Sequence, residues 1–435
     1  MNYLDELKNK KIIVLGLGVS GLSTMRFFAR KNIDFSVVDS REVPPNEDVA
    51  KQLANSFHFG KLTNSVFEDA ELIVISPGIA LSNMYIQDAI SRGVEVIGDV
   101  ELFARLNTKP VYAVTGSNGK SSVVTLTRDV LKQAGFNVAL AGNIGTPVLD
   151  VVDEDFDCYV LELSSFQLET TYSLVCEASC VLNISEDHMD RYDSLVDYAN
   201  AKQRIHLNSK LAVVNCDDAL THTSHQPQVS FSAQQGDYQL TNQYFSAFGE
   251  SLLTTAELSV IGLHNQLNAL AVMALLKNLD LSVDVFKAAF NQFSGLAHRC
   301  QLIAEHNNVL YVNDSKATNV GATQAALMSL ANSKNIILLA GGVGKGADFS
   351  PLKSEIETYV KQLITFGEDR AKIAALSDNT KQVESLELAV QLANECAVSG
   401  DIVLLAPACS SFDMFKSFEH RGEVFSELVH KVVNA

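Results

Sequence analysis

The run Thr115-Gly116-Ser117-Asn118-Gly119-Lys120-Ser121-Ser122 limits what this chain can fold into more than any other segment. It lies between an apolar run at 111–115 and a segment in which Val123, Leu126, Val130, Leu131 and Ala134 recur at helical spacing until Gly135 stops them. A strand that turns through glycines into a helix offers its amides to phosphate oxygens, while Lys120 neutralises their charge and a Ser hydroxyl reaches Mg²⁺. The general phosphate-loop pattern asks for glycine where Val114 stands, so the spacing is a shortened variant. Strand, phosphate turn and helix in that order predict an open α/β sheet with its ligands beyond the carboxyl ends of the strands.

The same alternation recurs on both sides. Upstream, strands are expected at 11–15, 34–38, 72–75 and 95–97, with Leu22, Met25, Phe28 and Ala29 on one helix face. Gly16-x-Gly18-x-x-Gly21 follows the first strand and opens that helix, and Asp39 ends the next strand. This turn suits a nucleotide-like ligand; a dinucleotide is the obvious guess, but other nucleotides can use it. Further strands are expected at 158–163, 180–184 and 211–215, then hairpins or long loops over the polar stretch 226–257, then a helix from His264 to about Asn278. A third unit begins near Arg299, with strands at 309–312, 335–340, 362–366 and 401–405. At about 150 residues per domain, 435 residues argue for about three domains.

Composition narrows the partners. The chain carries 33 Lys and Arg against 51 Asp and Glu, a net charge of −18, which repels nucleic acid and anionic membranes at long range but leaves room for a local basic pocket. Seven Cys without metal or Cys-x-x-Cys spacing read as buried, reduced thiols of a cytoplasmic protein. Lys8, Lys10 and Lys11 before an apolar run imitate a signal peptide, but three glycines break the run and no cleavage site follows. No apolar stretch reaches the roughly 18 residues of a membrane span.

The strand ends carry the reactive side chains. Glu162 ends one beside the phosphate loop, where a carboxylate can hold Mg²⁺ directly or through water. The next runs into Asn183-Ile184-Ser185-Glu186-Asp187-His188-Met189-Asp190-Arg191, whose His188 is placed as a ligand, whereas His222 and His225 read as solvated loop residues. In the last unit every strand except 362–366 leads into such a turn: 313–319 with Asp314 and Lys316, 341–346 with Lys345, and 407–412 with Ser410 and Ser411. Two lysines with several hydroxyls suit a substrate that bears carboxylates.

These residues resemble the ATP-dependent Mur ligases of peptidoglycan synthesis. The likeness spans essentially the whole chain, through Gly16–Ser23, Ser76–Ala80, Gly142–Gly145 and His298-Arg299; the stretches 162–169, 186–192, 313–319 and 415–422 are its most specific parts and favour the members that add D-glutamate. The resemblance implies an α/β fold of three domains: an N-terminal Rossmann-like domain for the uridine nucleotide (1–98), a central P-loop-type ATPase domain with a mainly parallel sheet (99–298), and a C-terminal Rossmann-like domain for the amino acid (299–435). It implies that ATP phosphorylates the carboxylate of UDP-N-acetylmuramoyl-L-alanine, that D-glutamate attacks the acyl phosphate, and that two Mg²⁺ ions assist. A monomer with no nucleic-acid or membrane partner is expected.

Matched position by position, the family pattern puts Gly116, Ser117, Asn118, Gly119, Lys120, Ser121 and Ser122 on the ATP phosphates, with Asn268, Arg299 and Asp314 completing the nucleotide site. It makes Lys120, Glu162, His188 and Lys202 catalytic, and gives the metals Ser121, Glu162, His188 and Lys202, the last as a carbamate. From the residues alone Lys202 would pass for an ordinary helix-surface lysine. Val19, Ser20, Asp39, Ser40, Arg41, Gly78, Asn143 and His188 match the UDP-sugar side; Lys316, Thr318, Lys345, Ser411, Phe412 and Phe418 match the D-glutamate side. The chain departs from the commonest pattern at Ser122, where Thr is usual, at Cys300-Gln301, where an apolar residue and Glu are frequent, and at Val343, which replaces an acidic residue. A nicotinamide dehydrogenase would leave the phosphate loop idle, and a non-catalytic nucleotide-binding regulator would leave Glu162, His188 and Lys202 without purpose. The match at Gly16–Ser23 and 162–169 favours the D-glutamate-adding members over sister ligases and folylpolyglutamate synthetase.

Overall fold

Apolar runs of four or five residues buried on both faces become parallel strands covered by helices. In the computed structural model, which describes residues 3–260, 262–331 and 333–433, Ile12–Leu15 is such a run. It pairs in parallel with Ser36–Asp39 and Leu72–Ile75, and Ser56–Phe59 and Glu95–Ile97 complete a five-stranded sheet on its two edges. The helix Val19–Lys31 starts against the end of the first strand. That approach requires Gly21, where an added Cβ would stand 1.9 Å from the carbonyl oxygen of Gly16.

The central sheet has nine strands. Val111–Thr115 lies between Ala178–Val181 and Cys158–Glu162, with Val138–Gly142 on one edge and Ala212–Asn215 and Gln228–Ser232 on the other. The polar stretch expected as hairpins extends it: Tyr238–Thr241, Tyr244–Ala247 and Glu250–Thr254 form an antiparallel meander. The helix Lys120–Gln133 follows the phosphate loop, and Leu263–Leu275 packs beside it. The third sheet runs Gln301–His306, Val309–Asn313, Ile402–Leu405, Ile336–Gly341, Val360–Phe366 and Thr380–Gln382, parallel except at the first pair.

Some expectations need correction. The strand expected at 180–184 is Ala178–Val181, because Asn183 and Ile184 leave the ladder for loop partners. The strand expected at 34–38 is Ser36–Asp39, since the Phe35 amide bonds the Asn55 side chain instead. The turn after Val360–Phe366 is not idle: Asp369 accepts from the Gly344 amide at 2.8 Å and braces the loop of Lys345. All seven cysteines are free, but Cys216 is exposed and Cys300 and Cys396 are only partly buried. His225 does lie in a loop, but it is only partly solvated, with Nε2 2.6 Å from the Ser209 carbonyl oxygen. Lys202 is 2% exposed and belongs to the core of the site, not to a helix surface.

The domains are joined unevenly. One apolar cluster runs through the first two, from Val14, Phe28 and Phe103 to Val111, Tyr159 and Leu161. The third has its own cores on the two faces of its sheet. No helix of the described residues is long and apolar enough to cross a membrane.

Behind the strand Ala178–Val181 lies buried His206, its Nδ1 2.7 Å from Ser179 Oγ and its Nε2 without a hydrogen-bond partner. Burial pushes its pKa from the ordinary 6.5 down to about 3. The unfolded chain therefore binds this proton first as pH falls, and native stability declines between those two values. The contribution of this one group is up to roughly 1.4 kcal/mol per pH unit. Urea unfolding followed from about pH 6.5 to about pH 4.5 should show a shallower loss of stability in His206→Asn than in the wild type.

Candidate functional site

The phosphate loop is shaped by its neighbour strand. Ser117 N donates to Asn183 O and Asn118 N to Asn183 Oδ1, both at 2.8 Å, so the residues that leave the ladder after Val181 hold the loop open. Gly119 has φ +84, and a Cβ there would stand 2.6 Å from Asn268 Oδ1, which sets Asn268 directly against the turn. Lys120 Nζ donates back to Gly116 O (2.7 Å) and Ser117 O (2.9 Å), and burial lowers its pKa. Ser121 Oγ accepts from Arg299 Nη2 at 2.8 Å.

Glu162 stands at the end of the adjoining strand, 1% exposed. Its Oε1 accepts from Asn143 Nδ2 at 2.8 Å, while Oε2 is buried without a partner. Such an oxygen is costly unless something positive meets it. Lys202 Nζ lies 4.5 Å from the centre of the Tyr198 ring and 3.5 Å from Thr115 Oγ1. Burial first, and the charge of Lys120 next, push its pKa well down, which favours the neutral amine that a carbamate requires. His188, with φ +59, has Nε2 3.6 Å from Asp187 Oδ2. Among the described residues no three His, Cys, Asp or Glu side chains converge as a metal cage. Mg²⁺ seldom needs one, since it keeps waters and shares phosphate oxygens, and the unpartnered Glu162 oxygen fits that role.

The third domain closes the other wall. Arg299 and Asp314 face each other, and burial pushes the Asp314 carboxyl up to about 6. Lys316 Nζ lies 3.9 Å from the centre of the Phe418 ring, and burial, with Arg299 and Lys120 nearby, brings its pKa down to about 8. Lys345 Nζ is 3.5 Å from Asp187 Oδ1 across the domain boundary. Asn118 and Asn319 exchange side-chain amide bonds at 3.3 and 3.2 Å across the same boundary. Gln301, at the unusual position, accepts from the His298 amide at 3.0 Å, and Val343 bridges to Ser410.

One cavity of about 1090 Å³ joins these walls. Ser117 to Ser122, Asn143, Glu162, His188, Asn268, Arg299, Asp314, Lys316, Thr318, Lys345, Ser411, Phe412 and Phe418 all line it. Gly116 and Lys202 do not line it, the lysine being buried. Val19, Ser20, Asp39, Ser40, Arg41 and Gly78 lie apart from it, at the strand ends of the first sheet. There the Asp39 carboxylate accepts from Leu17 N at 2.8 Å and from Arg41 N, Nε and Nη2 at 2.9, 2.8 and 2.6 Å, and Arg41 with the two backbone amides holds its pKa below the usual carboxylate range despite burial.

Three residues of the site carried no assigned role in the sequence. Asp187 was only part of a polar run. His264, at the head of a helix, lines the cavity with an unpartnered Nδ1. Arg421, 0% exposed, donates to Ser315 Oγ and O, Cys409 O and Gly341 O and so ties together the three strand ends that bear Lys316, Lys345 and Ser411. Its only sequence signal is its place in the stretch 415–422.

Comparison with known proteins agrees with this geometry. Residues 10–98 match the family model of the Mur ligase MurD-like N-terminal domain, 114–276 the Mur ligase middle domain, and 298–409 the Mur ligase glutamate ligase domain. The UDP-N-acetylmuramoylalanine--D-glutamate ligase of Pseudoalteromonas translucida (strain TAC 125) is 50% identical over 99% of this chain and 99% of its own. That of Haemophilus influenzae (strain PittGG) is 44% identical over 98% and 99%. Among solved structures, the UDP-N-acetylmuramate-alanine ligase of Thermotoga maritima superimposes with TM-score 0.60 at 20% identity, covering 97% of this chain and 100% of that one. MurF from Acinetobacter baumannii gives 0.61 at 15% identity, covering 98% of each. With all three family models matched in order and near-complete coverage at such identity, the chain belongs to the Mur ligase family.

Proposed function

We propose that this chain is an ATP-dependent ligase that adds D-glutamate to UDP-N-acetylmuramoyl-L-alanine, releasing ADP and phosphate, in the cytoplasmic synthesis of peptidoglycan precursors. The observation that carries the reading is the single cavity in which a phosphate loop, the half-satisfied Glu162 and the cations Arg299, Lys316 and Lys345 face one another. The functional units are 1–98 for the UDP moiety, 99–298 for ATP and 299–435 for D-glutamate. In this reading the protein acts as a monomer.

In this reading the amides of 116–122 and Lys120 hold the ATP phosphates, while Asn268, Arg299 and Asp314 take the rest of the nucleotide. Val19, Ser20, Asp39, Ser40, Arg41 and Gly78 anchor the UDP end of the acceptor. Asn143 and His188 line the cavity itself, where its alanyl carboxylate attacks the γ-phosphoryl group. Glu162, His188, Ser121 and carbamylated Lys202 would hold two Mg²⁺ ions. When bound, these screen the phosphate oxygens and polarise the transferring group. Lys316, Thr318, Lys345 and Ser411 hold the D-glutamate carboxylates beside Phe412 and Phe418. The surrounding cations favour the neutral, nucleophilic form of the D-glutamate amine. It attacks the acyl phosphate, and the tetrahedral intermediate collapses to amide and phosphate. A closed cavity keeps water from the acyl phosphate in the interval.

Purified protein with ATP, Mg²⁺ and UDP-N-acetylmuramoyl-L-alanine should release phosphate only when D-glutamate is added. Release with L-glutamate, meso-diaminopimelate or L-lysine in its place would refute the assignment. Lys202→Ala should lose about 100-fold or more in kcat and regain part of it with added short-chain carboxylates; unchanged turnover would remove Lys202 from the site. Lys316→Ala should raise the KM for D-glutamate about 10- to 100-fold and leave that for ATP nearly unaltered, as loss of one charge-assisted hydrogen bond predicts.

A further inference from the structure

Two of the most specific stretches, 162–169 and 186–192, contain residues that the proposed reaction leaves unused: Phe166 and Glu169 in the first, Arg191 and Tyr192 in the second. In the fold they form one cluster. Arg191 Nη2 donates to Glu169 Oε2 at 2.8 Å and Tyr192 Oη to Glu169 Oε1 at 2.5 Å, so a single carboxylate holds both. The guanidinium carbon lies 4.2 Å from the centre of the Phe166 ring.

The remaining donors of Arg191 leave the central domain. Nη1 reaches Pro77 O at 3.0 Å and Nη2 also reaches Ile79 O at 3.4 Å, the two carbonyls that flank Gly78. Ser76, next along that segment, donates through Oγ to Gly16 O at 2.9 Å and fastens it to the glycine turn. On the other side the amides of Arg191 and Tyr192 bond to His188 O at 2.9 and 3.3 Å, and the His188 and Phe166 rings meet edge to face at 4.8 Å. One planar guanidinium therefore sits between the segment of Gly78 and the turn of His188. A lysine, with one point charge, could not span the carboxylate, both carbonyls and the ring.

We infer that Arg191 is a positioning residue that fixes the span between the UDP-binding turn and the His188 turn, and thereby where the acceptor carboxylate lies relative to the phosphate loop. This rests on the proposed reaction, in which one substrate is anchored in both domains. Cohesion does not require the residue, because the two domains already share a continuous apolar core. What it supplies is direction: the planar fork holds the two segments in one register, and misplacement of reacting groups by about 1 Å can cost about 100-fold in rate.

The test is steady-state kinetics of full-length Arg191→Ala, Arg191→Lys and Glu169→Gln with two acceptors, UDP-N-acetylmuramoyl-L-alanine and the same molecule lacking the uridine nucleotide. For Arg191→Ala, kcat/KM with the UDP-linked acceptor should fall about 10- to 100-fold, and with the truncated acceptor less than about 3-fold. KM values for ATP and D-glutamate should move less than about 3-fold, Arg191→Lys should recover only part of the loss, and Glu169→Gln should show the same pattern more weakly. Equal losses on both acceptors, or wild-type kinetics in Arg191→Ala, would overturn the inference. Should Arg191→Ala fail to fold, the ratio between acceptors in Glu169→Gln decides in the same way. A wild-type protein that converts neither acceptor would bring down the proposed reaction itself, an outcome separate from any of these.

Discussion

The site is organised by an excess of buried positive charge. Lys120, Arg299 and Lys316 crowd one region with Lys345 on the same cavity, burial lowers the pKa of the first three, and Lys202 behind them is driven toward its neutral amine. Against them stand Glu162, with one oxygen unpartnered, Asp187, and Asp314, whose own carboxyl is pushed up to about 6. Such an arrangement is unfavourable for the protein alone, and anions relieve it. ATP, an acceptor carboxylate and glutamate would all be drawn to it. The net charge of −18 is thus a property of the outer surface, and the cavity is its local exception.

Holding that excess in place falls to residues that brace the backbone of its turns. Arg421 converts three separate turns of the last sheet into one rigid edge through carbonyl and hydroxyl acceptors. Asn183 does the same for the phosphate loop. In both cases a polar side chain satisfies backbone atoms beyond the carboxyl ends of the strands, where the sheet ladder has stopped. Ligand-binding turns lie at strand ends because the ladder stops there, and something else must then order the backbone.

This explains which parts were legible in the sequence. Strands such as Leu72–Ile75 and Val111–Thr115 were readable because both faces are buried and the run is apolar throughout. The phosphate loop was readable because its glycines and lysine are local in sequence. Val138–Gly142 escaped, since its two alanines and its glycine carry little strand propensity. Lys202 and Arg421 escaped for a different reason: a cation on a helix reads as solvated, and only tertiary packing reveals that these two are buried. Family resemblance supplied Lys202; nothing but the fold supplied the donors of Arg421.

The uneven joining of the domains follows the same division between apolar and polar contact. Parting the first two would expose side chains of a shared core, each worth about 2 kcal/mol on burial, including Phe28, Phe103 and Tyr159. Parting the second and third breaks Asn118 from Asn319, Arg299 from Ser121 and Lys345 from Asp187. Those bonds net about 1 kcal/mol each, because water replaces them. Every one of these polar contacts also involves a group on the rim of the cavity. A ligand that bridges the two walls therefore adds to a weak boundary rather than to a strong one, and closing the third domain over bound ATP can be coupled to the presence of substrate at small energetic cost.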